Sequence, residues 1–203
     1  MTVSVWVKVC GLMREADVAA AVDAGADAVG FIIAPASPRA VSIERARALA
    51  RGIPRQRVLV SVDLTPDELL AAAESSGIDG VQPHGRHAYE AAEVASAAGL
   101  FVLQPVPVGS TFISPDLAPG AIALLDTADS AHHGGTGRTF RWELVAGYGE
   151  DFVLAGGLGP DNVAAAVAAV RPFGVDASSR LETAAGIKDH GKVTAFVQEA
   201  KSA

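Results

Sequence analysis

Short apolar runs alternate along the chain with alanine-rich segments whose apolar residues recur at three- and four-residue spacing. The runs SVWVKVC (4–10), DAVGFII (27–33), RVLVSV (57–62), GVQP (80–83), LFVLQ (100–104), AIALLD (121–126), FVLAG (152–156) and FGVDA (173–177) predict eight strands. They show little polar alternation, as parallel strands covered on both faces require. The intervening segments predict helices over 14–25, 42–52, 65–77, 86–99, 140–149, 159–170 and 188–200. Their boundaries carry local chemistry. Ser42 can cap one start, and Thr65, Pro66 and Glu68 have the order of a capping box with proline at the first helical position. The segment VGSTFISPDLAPG (108–120) has two prolines and reads as a loop with at most a short helical turn.

Strand plus helix repeats about every 25 residues, and eight such units predict a single-domain α/β protein, a (β/α)8 TIM barrel over residues 1–203. An open doubly wound sheet is the rival, but its first strand is usually followed by a glycine-rich turn. Here the first strand runs into CGLMRE.

Composition narrows the functional classes. Half of the residues are hydrophobic, only 5% are aromatic, and the net charge is −7 with no basic run. That argues against a nucleic-acid partner. No apolar run is long enough to span a bilayer, and the N-terminus lacks a signal-peptide pattern, so a cytoplasmic protein is expected. The one cysteine excludes an internal disulfide and a multi-cysteine metal site. No histidine and carboxylate spacing reads as a metal site.

In this barrel the chemistry belongs at the carboxyl ends of the strands. The polar residues there are Lys8 and Cys10, Arg39, Gln82 and His84, Asp126, Gly156 and Gly157, and Asp176, Ser178 and Ser179. LAGGLGPDNV and VDASS fall after the seventh and eighth strands, the usual phosphate site of such barrels, and the glycines let backbone N–H groups approach an anion. Gly156, Gly157, Ser178 and Ser179 are therefore candidate phosphate ligands. The glycine-rich loop HHGGTGRTF (132–140) reads either as a lid over a ligand or as a plain surface loop. Cys10 reads as buried packing or, paired with Asp126, as a base facing an acid. A thiol is a poor base at neutral pH unless a nearby cation lowers its pKa. Lys8, two residues away on the same side of the strand, is the expected cation. Arg39, on a loop stiffened by Pro35 and Pro38, suits a carboxylate, with a solvated surface arginine as the alternative. His84 reads as a ligand contact or a satisfied turn residue.

The segment KVCGLMREADVAAAVDAGADAVGFIIAPASPRAVS resembles the start of phosphoribosylanthranilate isomerases of tryptophan biosynthesis. The resemblance continues through VQPHG, LLDTADSAHHGGTGRTFRW, LAGGLGPDNV and PFGVDASSRLE to GIKD, essentially the whole chain. It implies a barrel without metal or cofactor that converts N-(5′-phosphoribosyl)anthranilate to 1-(2-carboxyphenylamino)-1-deoxyribulose 5-phosphate, an Amadori rearrangement. It implies Cys10 as general base and Asp126 as general acid. It further implies Arg39 on the anthranilate carboxylate, Gly156, Gly157, Ser178 and Ser179 on the phosphate, and Asp176 on a ribose hydroxyl. Lys8, Gln82 and His84 are expected to help bind the substrate. Pro83, Arg86, His87 and Arg180 depart from the pattern of the family, and VLVSVD replaces its more usual third strand. Two rival readings remain. One is a histidine-pathway or dual-substrate isomerase, whose relatives have aspartate in place of Cys10 and bind a second phosphate. The other is a non-catalytic sugar-phosphate-binding barrel. A monomer is expected, with a homodimer as the alternative.

Overall fold

A computed structural model describes residues 4–127 and 140–203. Eight parallel strands close into a barrel in sequence order: β1 (Trp6–Val9), β2 (Ala28–Ile32), β3 (Gln56–Val62), β4 (Gly80–His84), β5 (Phe101–Val108), β6 (Ile122–Thr127), β7 (Phe152–Leu154) and β8 (Gly174–Ala177). Each predicted strand is present. Closure comes from β1 pairing with β8, which sets Lys8 opposite Asp176. A short antiparallel hairpin, β9 (Glu182–Ala184) with β10 (Ile187–Lys188), follows β8 and was not predicted.

The helices are α1 (Glu15–Asp23), α2 (Ile43–Ala50), α3 (Pro66–Ser76), α4 (Ala88–Ala97), α5 (Val163–Val170) and α6 (His190–Ser202). The predicted N-terminal caps hold, and a C-terminal one is added. The Ser42 side chain accepts from the Arg45 N–H, Thr65 and Glu68 form the reciprocal capping box, and Gly77 closes α3 in the left-handed region. The expected helix over 140–149 is absent. Only a 3-10 turn forms, Trp142–Leu144. Gly147 and Gly149 cut the helical pattern short, and Gly149 sits at φ +78°. Too few residues remain to offset the cost of nucleating a helix. The helix expected over 159–170 begins only at Val163, because Gly159 to Asn162 form a turn in which the Asn162 side chain accepts from the Gly159 N–H. The segment after β5 is a loop, as expected. Buried Gln104 on β5 pins it, donating to the Asp116 carbonyl and accepting from the Ala118 N–H.

The barrel lumen is filled by Cys10, Ala28, Val58, Val60, Leu103, Leu124, Val153 and Ala155. Trp6 stacks on Phe173 and tilts against Phe101 at the amino-terminal end, sealing it. A second, larger core lies between strands and helices. The floor is thus apolar and closed, and polar side chains collect at the opposite mouth. No helix among the described residues is long and apolar enough to cross a membrane.

Candidate active site

Lys8 and Cys10 both point into the lumen over Gly30 of β2. A Cβ at Gly30 would lie 2.7 Å from the Cys10 sulfur and 3.1 Å from Lys8 Cε. Glycine at this position makes the space that the thiol occupies. Lys8 is fully buried, and its Nζ pairs with Asp176 Oδ2 at 3.1 Å and donates to Gln82 Oε1 at 2.8 Å. An ammonium only donates, so the Gln82 oxygen must face Lys8 and its amide nitrogen must face His84 Nε2, 2.9 Å away. His84 Nε2 is therefore the acceptor in this contact. The four residues form one polar layer across β8, β1 and β4.

This layer changes the expected state of the thiol. Burial pushes the Cys10 pKa up, and the Asp176 charge adds to it. Lys8 and Lys188 only partly offset the rise. Lys8 does favour the thiolate, as its proximity in sequence implied. However, much of its charge is taken up by Asp176, whose attraction in turn raises the Lys8 pKa against the effect of burial.

Asp126 ends β6. Burial, with a contribution from the nearby Asp176 charge, raises its pKa from 3.8 to about 6, against the opposing pull of the Thr127 N–H and Lys8. That N–H donates to Asp126 Oδ1 at 2.7 Å. Gly156 lies against the same carboxylate: a Cβ there would be 2.7 Å from Oδ1. Gly156 and Gly157 have φ of +83° and +63°, a region that side chains disfavour. Asp126, Gly156, Gly157, Asp176, Ser178 and Ser179 line one small cleft at the ends of β6, β7 and β8. Asp176 Oδ1 is buried there without a hydrogen-bond partner among the described residues. The Gly157 carbonyl accepts from the Asn162 amide at 3.0 Å and from Arg180 Nη1 at 3.1 Å. The peptide is planar and trans, so the Leu158 N–H points the other way. A larger apolar groove of about 820 Å³ between α2 and α3 has Glu68 as its one ionisable residue and offers no convergent polar groups.

Arg39 lies at the mouth with its stem across Gly11. A Cβ at Gly11 would meet both Arg39 Cδ and Ser178 Oγ at 2.8 Å, and Gly11 also has φ +73°. The guanidinium is held by Glu182 through two bonds of 2.8 Å, Nε to Oε1 and Nη2 to Oε2. Of the loop 132–140, read as a lid or a plain surface loop, residues 132–139, including His132, His133 and the GGTG stretch, lie outside the described residues. Among the described residues no group of three or more His, Cys, Asp or Glu side chains could hold a metal ion.

The family model of N-(5′-phosphoribosyl)anthranilate (PRA) isomerase matches residues 7–199. The chain belongs to this family. An N-(5′-phosphoribosyl)anthranilate isomerase of Pelobacter propionicus is 40% identical over 203 residues, spanning 96% of this chain and 95% of the relative. The crystal structure of phosphoribosyl anthranilate isomerase from Thermotoga maritima superposes with a TM-score of 0.86 at 35% identity, covering 98% of this chain and all of that one. A crystal structure of phosphoribosyl anthranilate isomerase in complex with reduced 1-(o-carboxyphenylamino)-1-deoxyribulose 5-phosphate superposes with a TM-score of 0.82 at 34% identity, again over 98% of this chain and all of that one.

Within this isomerase family the departures have local explanations. Pro83 sits where the β4–β5 ladder stops. The His84 carbonyl accepts from the N–H of Asp63, just past β3, so Pro83 faces β5, and its missing N–H falls where pairing with β5 has ended at Val81 and Val102. Arg86 sits on the rim, where its N–H donates to Asp63 Oδ1, and His87 precedes α4. Arg180 turns away from the cleft. Its Nη2 grips both oxygens of Asp161 at 2.8 and 2.6 Å while Nη1 holds the Gly157 carbonyl, so it clamps the loop after β8 to the loop after β7. Two buried residues escaped the sequence reading, Glu182 and Lys188. Neither sits at a strand end of the barrel, and the pairing of Glu182 with Arg39 spans 143 positions.

Proposed function

We propose that the protein catalyses the Amadori rearrangement of N-(5′-phosphoribosyl)anthranilate with Cys10 as general base and Asp126 as general acid. The chain is an intramolecular isomerase of tryptophan biosynthesis. The observation that carries the assignment is a thiol and a raised-pKa carboxyl at the ends of β1 and β6, beside a cleft of two glycines and two serines.

The reaction needs a proton delivered to the furanose oxygen. Asp126 is suited to this, since burial favours its protonated form up to about pH 6. As the ring oxygen takes the proton, the C1′–O bond breaks and the anilino nitrogen lone pair forms a Schiff base at C1′. The Cys10 thiolate then removes the C2′ proton, the electrons of that C–H bond form the C1′–C2′ double bond, and the resulting enolamine tautomerises to the ketone. At neutral pH the resting state has a thiol at Cys10 and a carboxylate at Asp126. Turnover therefore draws on the minority form with the proton moved from one to the other. A high thiol pKa makes that form scarcer but its thiolate a stronger base.

The phosphate is assigned to Gly156, Gly157, Ser178 and Ser179, where positive-φ glycines let the backbone approach an anion. The unpaired Oδ1 of Asp176 suits a ribose hydroxyl, since a buried acceptor gains from any donor that reaches it. Lys8, Gln82 and His84 support that contact from behind: Lys8 fixes Asp176, and Gln82 bridges Lys8 and His84. Arg39 is assigned to the anthranilate carboxylate. No cofactor enters these steps. All the named groups come from one chain, so a monomer suffices for the chemistry, and a reducing cytoplasm would keep the lone thiol free.

The test is steady-state turnover of fresh N-(5′-phosphoribosyl)anthranilate, followed by loss of its fluorescence, with EDTA present. Chelator-resistant turnover is expected. A folded protein without turnover would contradict the assignment, and comparable rates on the histidine-pathway substrate would contradict a single-substrate enzyme.

A further inference from the structure

One buried cluster of charge neither gives nor takes a proton in the transfers above. The hairpin after β8 carries Glu182 on β9 and Lys188 on β10. The Glu182 side chain is 4% exposed and that of Lys188 is fully buried. Glu182 Oε1 accepts from Lys188 Nζ at 2.8 Å as well as from Arg39 Nε, and Oε2 accepts from Arg39 Nη2. Lys188 Nζ also donates to the Ser178 carbonyl at 3.0 Å and lies 3.4 Å from Ser178 Oγ. One carboxylate thus lies between two cations, one at the mouth and one beneath the loop assigned to phosphate. Both partners hold Glu182 below the usual carboxylate pKa in spite of its burial.

The geometry of the guanidinium shows what this arrangement does. Arginine presents five N–H donors in a rigid plane. Glu182 takes the edge formed by Nε and Nη2. The end edge, one hydrogen of Nη1 and the second of Nη2, makes no contact with Glu182. It can take a second carboxylate in the same two-pronged manner. The stem is fixed as well, since it lies on Gly11 beside Ser178 Oγ. Burial lowers the Lys188 pKa and Glu182 opposes that; with Lys188 protonated, the cluster of Arg39, Lys188 and Glu182 has a net charge of +1. Lys188 supplies the positive charge that Glu182 would otherwise cancel.

We propose that Glu182 is a positioning residue for substrate recognition: it grips Arg39 along one edge so that the other edge meets the carboxylate of the substrate ring, while Lys188 keeps the cluster cationic. This rests on the assignment of Arg39 to that carboxylate. A purely electrostatic role for Glu182 makes the opposite prediction. Removing its charge would leave two cations, and every anionic ligand would bind more tightly. Positioning predicts a selective loss, confined to ligands that carry the aromatic carboxylate.

The experiment measures dissociation constants of two probes, reduced 1-(o-carboxyphenylamino)-1-deoxyribulose 5-phosphate and inorganic phosphate. The proteins are the wild type, Glu182→Gln, Arg39→Ala and the double variant. In Glu182→Gln the carboxylated probe is expected to weaken about tenfold or more, with inorganic phosphate unchanged or tighter. In the Arg39→Ala background the same substitution should change the carboxylated probe less than about threefold, because Glu182 acts through Arg39. Should Glu182→Gln not fold, Glu182→Asp replaces it in the same cycle. That variant keeps the charge but withdraws the carboxylate by one methylene, and it should show the same selective loss. Parallel weakening of both probes, tightening of both, or an additive cycle would overturn the role of Glu182. A wild-type protein that binds phosphate but not the carboxylated probe would overturn the assignment of Arg39 itself.

Discussion

Replacing Asp126 by asparagine should cost activity and gain stability, and the gain in stability follows from one number. The carboxyl titrates at about 6 in the fold against 3.8 unperturbed. At 1.36 kcal/mol for each pH unit, the fold disfavours the ionised form by about 3 kcal/mol. The folded state keeps a proton that the unfolded chain releases, so stability falls as pH rises between these two values. Above about pH 6 the whole penalty is present, and below both values none of it is. Asparagine cannot ionise, and its Oδ1 can still accept the Thr127 N–H that now binds Asp126 Oδ1. Asp126→Asn should therefore exceed the wild type by about 3 kcal/mol near pH 7.5 and by only about 0.5 kcal/mol near pH 4. For a chain of this length the larger figure is a rise in Tm of roughly 6–12 °C at the higher pH. The same variant loses the acid and should lose about 10²–10⁴ in kcat. Urea unfolding at the two pH values, with steady-state kinetics alongside, measures both. A stability difference that is equal at the two pH values would refute the electrostatic reading of this site. Undiminished kcat would refute the catalytic one.

Gly30→Ala tests the space reserved for the thiol. The new methyl would sit 2.7 Å from the Cys10 sulfur and 3.2 Å from Cys10 Cα, so overpacking should cost about 1–3 kcal/mol and displace the sulfur. kcat is expected to fall by about tenfold or more with binding of the reduced product analogue largely kept. A wild-type kcat would show that the thiol position is not critical. Arg180→Gly removes the clamp between the loops after β7 and β8. Its ion pair is largely exposed, worth about 1 kcal/mol or less, so KM should rise no more than about fivefold with kcat retained. A large loss of kcat would mean that Arg180 acts within the cleft.

The barrel was legible because its strands are buried on both faces and read as continuous apolar runs, while Thr65, Pro66 and Glu68 mark a helix start by local chemistry alone. The segment FRWELVAGYG misled because Trp142, Leu144, Val145 and Tyr148 have helical spacing, and they do pack on the core. They do so from a 3-10 turn and loop, since two glycines end the pattern. At the site, Lys8 and Cys10 share a face by the two-residue period of a strand, so their proximity was predictable. The state of the thiol was not. It depends on Asp176, which meets Lys8 only when β8 closes the barrel against β1. Glu182 and Lys188 were hidden for the same reason. Each is an ordinary charged residue in a short turn until the hairpin folds back and one carboxylate meets Arg39 from the other end of the chain.

The most direct test of the account is a single-turnover measurement on N-(5′-phosphoribosyl)anthranilate with enzyme in excess, comparing wild type with Cys10→Ser. The account predicts that the serine enzyme binds the reduced product analogue normally and that its single-turnover rate falls by about 10²-fold or more, because a hydroxyl is a far weaker acid than a thiol and supplies almost no base. A serine enzyme that converts bound substrate at the wild-type rate would contradict the account and return Cys10 to the packing of the lumen.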